Sequence, residues 1–131
     1  MSVVTPFADE VFRIFPEVKG VCSEGDERLP YVLMANLVAF LEKQADPALP
    51  LGIFRRVKEF NLWCQNQPRG EDAGSDVLTI VVVGLFEKVL VSDKLHHLVP
   101  ALIAKADLLK SRQYLVSWAG EKSYGRALAL Y

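Results

Sequence analysis

The chain has 131 residues, of which 51% are hydrophobic and 24% charged, with a mean hydropathy of +0.20. That length is enough to hide about two thirds of the unfolded surface without disulfides or a structural metal, and the apolar content excludes a disordered chain. Fifteen Lys and Arg against sixteen Asp and Glu give a net charge of −1, so no long-range field collects nucleic acid or an anionic membrane surface.

Thr5-Pro6 predicts a helix start, and Phe7, Val11, Ile14 and Phe15 then recur at helical spacing until Pro16 interrupts them. The segment from Glu17 to Arg28, with Gly20, Gly25 and the acidic residues Glu24, Asp26 and Glu27, reads as at most one further turn and then a solvated loop. Pro30 opens a second helix in which Leu33, Leu37, Phe40 and Leu41 share a face with Met34 and Val38 beside them, and Asp46-Pro47 ends it. Being apolar almost all round, it is expected to run through the middle of the fold. A third helix follows Pro50, with Ile53, Phe54, Val57, Phe60 and Cys64 inward and Arg55, Arg56, Lys58 and Glu59 outward. A polar loop over residues 66–75, marked by Asn66, Pro68, Gly70 and Gly74, carries Glu71 and Asp72.

Ile80-Val81-Val82-Val83 taken alone reads as a buried strand, because β-branched residues favour extended backbone. Leu78, Val81, Val82, Leu85, Phe86 and Val89 nevertheless keep helical spacing for three turns, so helix is the expectation, with Ser75 as N-cap, Asp76 in the first turn and Gly84 as a point of close helix approach. From a cap at Ser92, one apolar face is expected to run through Leu95, Val99, Leu102 and Leu109, with Pro100 either kinking the helix or starting a second one. Leu108, Leu115 and Trp118 extend that trace to a stop at Gly120, and the last stretch holds at most a final turn. The predicted fold is therefore all-α: one domain over residues 1–131, with five or six helices in an irregular bundle or an α-solenoid-like array of helix pairs.

No nucleotide-binding, metalloprotease, nucleophile-elbow, paired-cysteine or calcium-loop motif occurs, so no catalytic residue, cofactor or metal ligand is expected. His96 and His97, with Asp93 one turn earlier, lack a third ligand, and Cys64 beside Phe60 reads as an inert core thiol. Cys22 and Cys64 suit reduced thiols, and an N-terminus without a basic, then apolar, leader points to the cytoplasm. The longest uncharged stretch, Leu29 to Leu41, is too short to span a bilayer.

Two sets of residues are candidates for function. Asn36 and Glu87 interrupt apolar helices and would line a polar cleft if both turned inward, which is the basis for a small-molecule-binding or enzymatic reading. Trp63, set to one side of the Phe60 stripe, and the acidic groups Glu24, Asp26, Glu27, Glu71, Asp72 and Asp76 are candidates for contact with a protein partner. The remaining aromatics, Trp118 included, continue helical stripes and are expected in the core. A homodimer sharing an apolar helix face is a third reading.

The segment Leu29-Pro30-Tyr31-Val32-Leu33-Met34, followed some fifty residues later by Val83-Gly84-Leu85-Phe86-Glu87, resembles a family of small, uncharacterised bacterial all-helical proteins. In these an LP-aromatic-xxM segment opens one long helix and a Phe-Glu pair sits in a later one. Members are similar in size and build to the immunity proteins that neutralise bacterial toxins. The resemblance implies that Met34, Phe86 and Glu87 define the fold and that no residue is catalytic; the helical build, the apolar excess and the acidic loops add the expectation of a protein-binding module, with an immunity-type role as its narrower form.

Overall fold

The computed structural model describes residues 4–45, 48–72 and 75–131, and all regular structure among them is helical. Helix α1 spans Val4–Ile14 and stops where Pro16 begins a 3₁₀ turn, Pro16–Gly20. A second 3₁₀ turn, Asp26–Arg28, leads into α2, Pro30–Gln44, and α3 covers Leu51–Gln65. The expected stop at Asp46-Pro47 and the loop glycine Gly74 lie outside the described residues.

The valine-rich run is helical. Helix α4 occupies residues 77–91, as α-helix over Val77–Val81, a π turn over Val82–Phe86, and α-helix again over Glu87–Val91. Its N-cap is Asp76, one residue later than expected: the carboxylate accepts from Thr79 N, and Ser75 instead closes the preceding turn through Asp72. This helix takes the central place expected of α2. Val77, Ile80, Val81, Val82, Leu85, Phe86, Val89 and Leu90 are buried on nearly every side, whereas α2 leaves Val32, Ala35 and Ala39 exposed.

Gly84, in the π turn, sets the distance between the two helices. A Cβ there would fall 2.9 Å from Met34 Cβ and 3.0 Å from Met34 Cγ, so α2 and α4 cross at a spacing only glycine allows. On the other side of α2, α1 and α3 dock through an aromatic cluster. Phe60 lies 5.9 Å from Phe7 and 6.2 Å from Phe15, both edge to face, and Phe15 packs in the same manner on Phe40.

The C-terminal third departs from the expected continuous helix. After a 3₁₀ turn at His96–Leu98 it divides into α5 (Val99–Leu102), α6 (Lys105–Lys110), α7 (Arg112–Ala119) and α8 (Glu121–Leu128), giving eight α-helices among the described residues when α4 is counted once. Pro100 falls in the first turn of α5, where its missing N–H costs nothing. Ile103 and Ala104 then adopt extended backbone, and the carbonyls released by the break find donors elsewhere. Asn61 Nδ2 donates to Leu102 O at 2.9 Å, and the Tyr131 hydroxyl donates to Ile103 O. Such long-range donors leave no local sequence signal. One contiguous set of buried apolar side chains draws on all eight helices.

Candidate interaction surface

The acidic candidates have different surroundings. Glu24, Glu71 and Asp72 are exposed, while Asp26 is tied into its own loop, accepting from Ser23 N at 2.8 Å and from Asn36 Nδ2 at 2.9 Å. Glu27 lies 3.9 Å from Arg28 Nε. Asp76 is buried and fully engaged, accepting from Arg69 Nε and Nη2, Gly70 N and the Thr79 hydroxyl. Burial alone would raise its pKa, but these donors together outweigh burial and hold the carboxyl well below the usual carboxylate range. Gly70 is required here, since any Cβ would fall 2.3 Å from Ser75 O. Asp76 is thus a structural clasp between the 66–75 loop and α4.

The two acidic loops border different sides of α2. Asp26 and Glu27 act on Cys22, whereas burial and the charges of Asp76 and Asp72 raise the Tyr31 hydroxyl. Tyr31 and Asn36, which meet these two loops, are about 140° apart around the helix.

Asn36 and Glu87 are not brought together. The Asn36 amide is spent on Asp26 and on Cys22 Sγ, 3.4 Å away, while Glu87 is buried in the second half of α4. Glu87 Oε2 has no hydrogen bond, and Lys88 Nζ stands 3.1 Å from it as an ion pair outside hydrogen-bonding geometry. Neither residue lines the groove or clefts described below.

Trp63 is half-buried, stacked on Phe60 at 6.3 Å with 17° between the ring planes and tilted against Phe7. The tryptophan that faces outward is Trp118, 62% exposed, which corrects its expected place in the core. Leu108, Ser111 and Leu115 stay buried across the junction of α6 and α7, so the apolar phase is kept there, but Trp118 lies about 60° from Leu115 around α7 and falls on the solvent side. Tyr114, one turn earlier on α7, is 46% exposed. The local i,i+4 spacing of Tyr114 and Trp118 was the signal for an aromatic face on α7.

These two rings form one wall of a groove of about 500 Å³, completed by Tyr31 from α2 and by Thr79, Val83, Gly84 and Lys88 from α4. The π turn supplies Val83 and Gly84, and π turns within α-helices are frequent at functional sites. A second cleft, about 410 Å³, lies between α3 and the α5–α6 break, with Asn61, Leu62, Pro100, Leu102 and Asp107 among its walls. The Asn61 amide there supports Leu102 O, leaving Oδ1 buried without a partner. Burial raises the Asp107 carboxyl, opposed by Lys110.

No group of three or more His, Cys, Asp and Glu stands ready for a metal ion among the described residues. Burial pushes the Cys64 thiol well above its ordinary value, and burial also raises Cys22 despite the hydrogen bond from Asn36, so neither is an activated nucleophile. Among the described residues no helix is long and apolar enough to cross a membrane. Compared with family models, curated proteins and solved structures, the chain matches none.

Proposed function

We propose that this protein works by binding another protein, and that its contact surface is the groove lined by Tyr31, Tyr114 and Trp118. The observation that carries the reading is Trp118 itself, a large ring left mostly in water beside a second exposed aromatic and an open apolar trough. Trp and Tyr are enriched among the few residues that dominate binding energy at protein interfaces, and a contiguous exposed apolar patch on a small domain is commonly functional. Burying the Trp118 side chain alone would contribute on the order of 2–3 kcal/mol. Trp63 and Asp76, engaged inside the fold, take no part in this contact.

The narrower form of the proposal is an immunity-type role in a bacterial cytoplasm, neutralising a toxin by covering it. It rests on the LP-aromatic-xxM and Phe-Glu segments, whose Met34 and Phe86 are fully buried, in keeping with fold-defining positions. The irregular-bundle form of the architecture suits this role, because it does not depend on a concave face repeated along an array.

The test is quantitative capture from the cells that make the protein, comparing wild type, W118A and Y114A with the distal variant E24Q. A single near-stoichiometric partner held by wild type and E24Q but lost by W118A supports the proposal. Equal recovery by W118A, or no stoichiometric partner, overturns it. A dimer in sedimentation that dissociates in W118A would assign the groove to a second copy of the chain.

A further inference from the structure

Resting on the groove being a contact surface, we infer that its occupant is an acidic amphipathic helix of the partner, about three turns long, seated along the trough between α4 and α7 with its carboxylates toward exposed cations. The groove does not end at Tyr114. Thr79 and Tyr114 also line a narrower cleft of about 110 Å³ that carries Arg69 and Lys110 at its edge. From Leu78 to Lys88 the combined trough follows α4 for ten residues, or about 15 Å at 1.5 Å per residue, the length of roughly three helical turns.

The charge along it is layered. Lys88 is 53% exposed at the side chain and its counter-ion Glu87 is 10% exposed; Arg69 is 65% exposed and its counter-ion Asp76 is 5% exposed. Lys110 is exposed as well. In both pairs the carboxylate lies beneath and the cation faces out, so an approaching chain meets positive charge although the pairs are formally neutral. Half-buried Asp107 is the acidic residue of the narrow cleft, and Asp72 brings negative charge near the Tyr31 end. The occupant's carboxylates therefore belong along Arg69, Lys88 and Lys110, away from Tyr31.

A helical occupant follows from the walls. Both are helices whose backbone groups are spent internally, so no strand edge is offered for an extended peptide to pair with. A helix satisfies its own backbone and needs only an apolar face to fill the trough, where Tyr114 and Trp118 offer ring area and Val83 and Gly84 a low floor.

The experiment titrates the full chain against two labelled synthetic amphipathic peptides of about four turns with the same leucine face, one flanked by Glu and one by Lys, read by fluorescence anisotropy. The Glu peptide is expected to bind at least about tenfold more tightly at low salt, with the advantage shrinking as salt rises. W118A should abolish both interactions. K110Q and K88Q should each reduce the Glu preference, and K88R should restore it, with circular dichroism confirming that every variant folds. Equal or tighter binding of the Lys peptide, or a preference unaffected by K88Q and K110Q, overturns the inference. If neither peptide binds while Trp118-dependent capture of a partner persists, this inference falls and the binding function stands; if that capture is also absent, both fall.

Discussion

Replacing Gly84 with alanine should destabilise the protein, although the same change inside most helices does the opposite. Alanine has a helix propensity about 1 kcal/mol better than glycine, which would favour the variant. At Gly84 the new methyl would stand 2.9 Å from Met34 Cβ and 3.0 Å from Met34 Cγ, well inside contact distance for carbon atoms. Met34 Cβ is anchored to the α2 backbone and cannot swing away, so α2 and α4 must separate by several tenths of an ångström. Overpacking of this kind costs about 1–3 kcal/mol, leaving a net loss of about 1 kcal/mol after the propensity gain. Gly125 provides the contrast: it sits within α8, is exposed, and a Cβ there meets nothing within 4 Å. G125A should therefore gain up to about 1 kcal/mol. Urea denaturation followed by far-ultraviolet circular dichroism gives both values under one set of conditions. A G84A variant stabilised to the same degree as G125A would refute the close crossing of α2 and α4.

Loss of the Asp76 clasp in D76N should cost about 2 kcal/mol at neutral pH, combining a lost cap with weakened bonds to Arg69 and Gly70. Because the native carboxyl titrates below its ordinary 3.8, its contribution is complete above that pH and is lost as pH falls toward the native value, so the gap between wild type and D76N should narrow in acid unfolding experiments. Tyr131, whose hydroxyl is held up to about 12 by burial and by Asp107, should ionise late in an ultraviolet absorbance titration, and Y131F should remove that late step. Its hydroxyl bonds should stabilise the fold fully below pH 10 and less as pH approaches 12, by about 1 kcal/mol in all. In a thiol-reagent assay of the folded protein, half-buried Cys22 should react slowly and buried Cys64 should wait for unfolding; rapid reaction of Cys64 would contradict its placement.

The elements that periodicity could reach were legible in the sequence. The α1 and α3 stripes and the helical state of the valine run all follow from apolar spacing, which depends on residues within one or two turns. Gly84 was expected as a point of close approach, and the distance to Met34 gives that expectation a geometry. What escaped depends on residues distant in the chain. The break at Ile103 is held by Asn61 and Tyr131, from 41 and 28 positions away, and nothing in the local run of leucines reports it. The site was displaced too. Trp118 was counted with Leu115 although it lies about 60° from it around α7, and reading Trp63 only against its own helix missed the Phe7 ring of α1 that packs on it. Asp76 was seen as a surface charge because the arginine and glycine that draw it inward lie on the preceding loop.

The wide turn at Val82–Phe86 makes the length of α4 negotiable. A π turn accommodates one residue more than the regular ladder needs, while the hydrogen bonding on either side continues undisturbed. Removing Val83, the least buried of those five, would let the ladder close into ordinary α-helix, with Ile80 on one side and Val89 on the other still facing the interior. A one-residue deletion that would scramble any other helix here would spare the packing of this one, and its main effect would be to reshape the floor beneath Trp118.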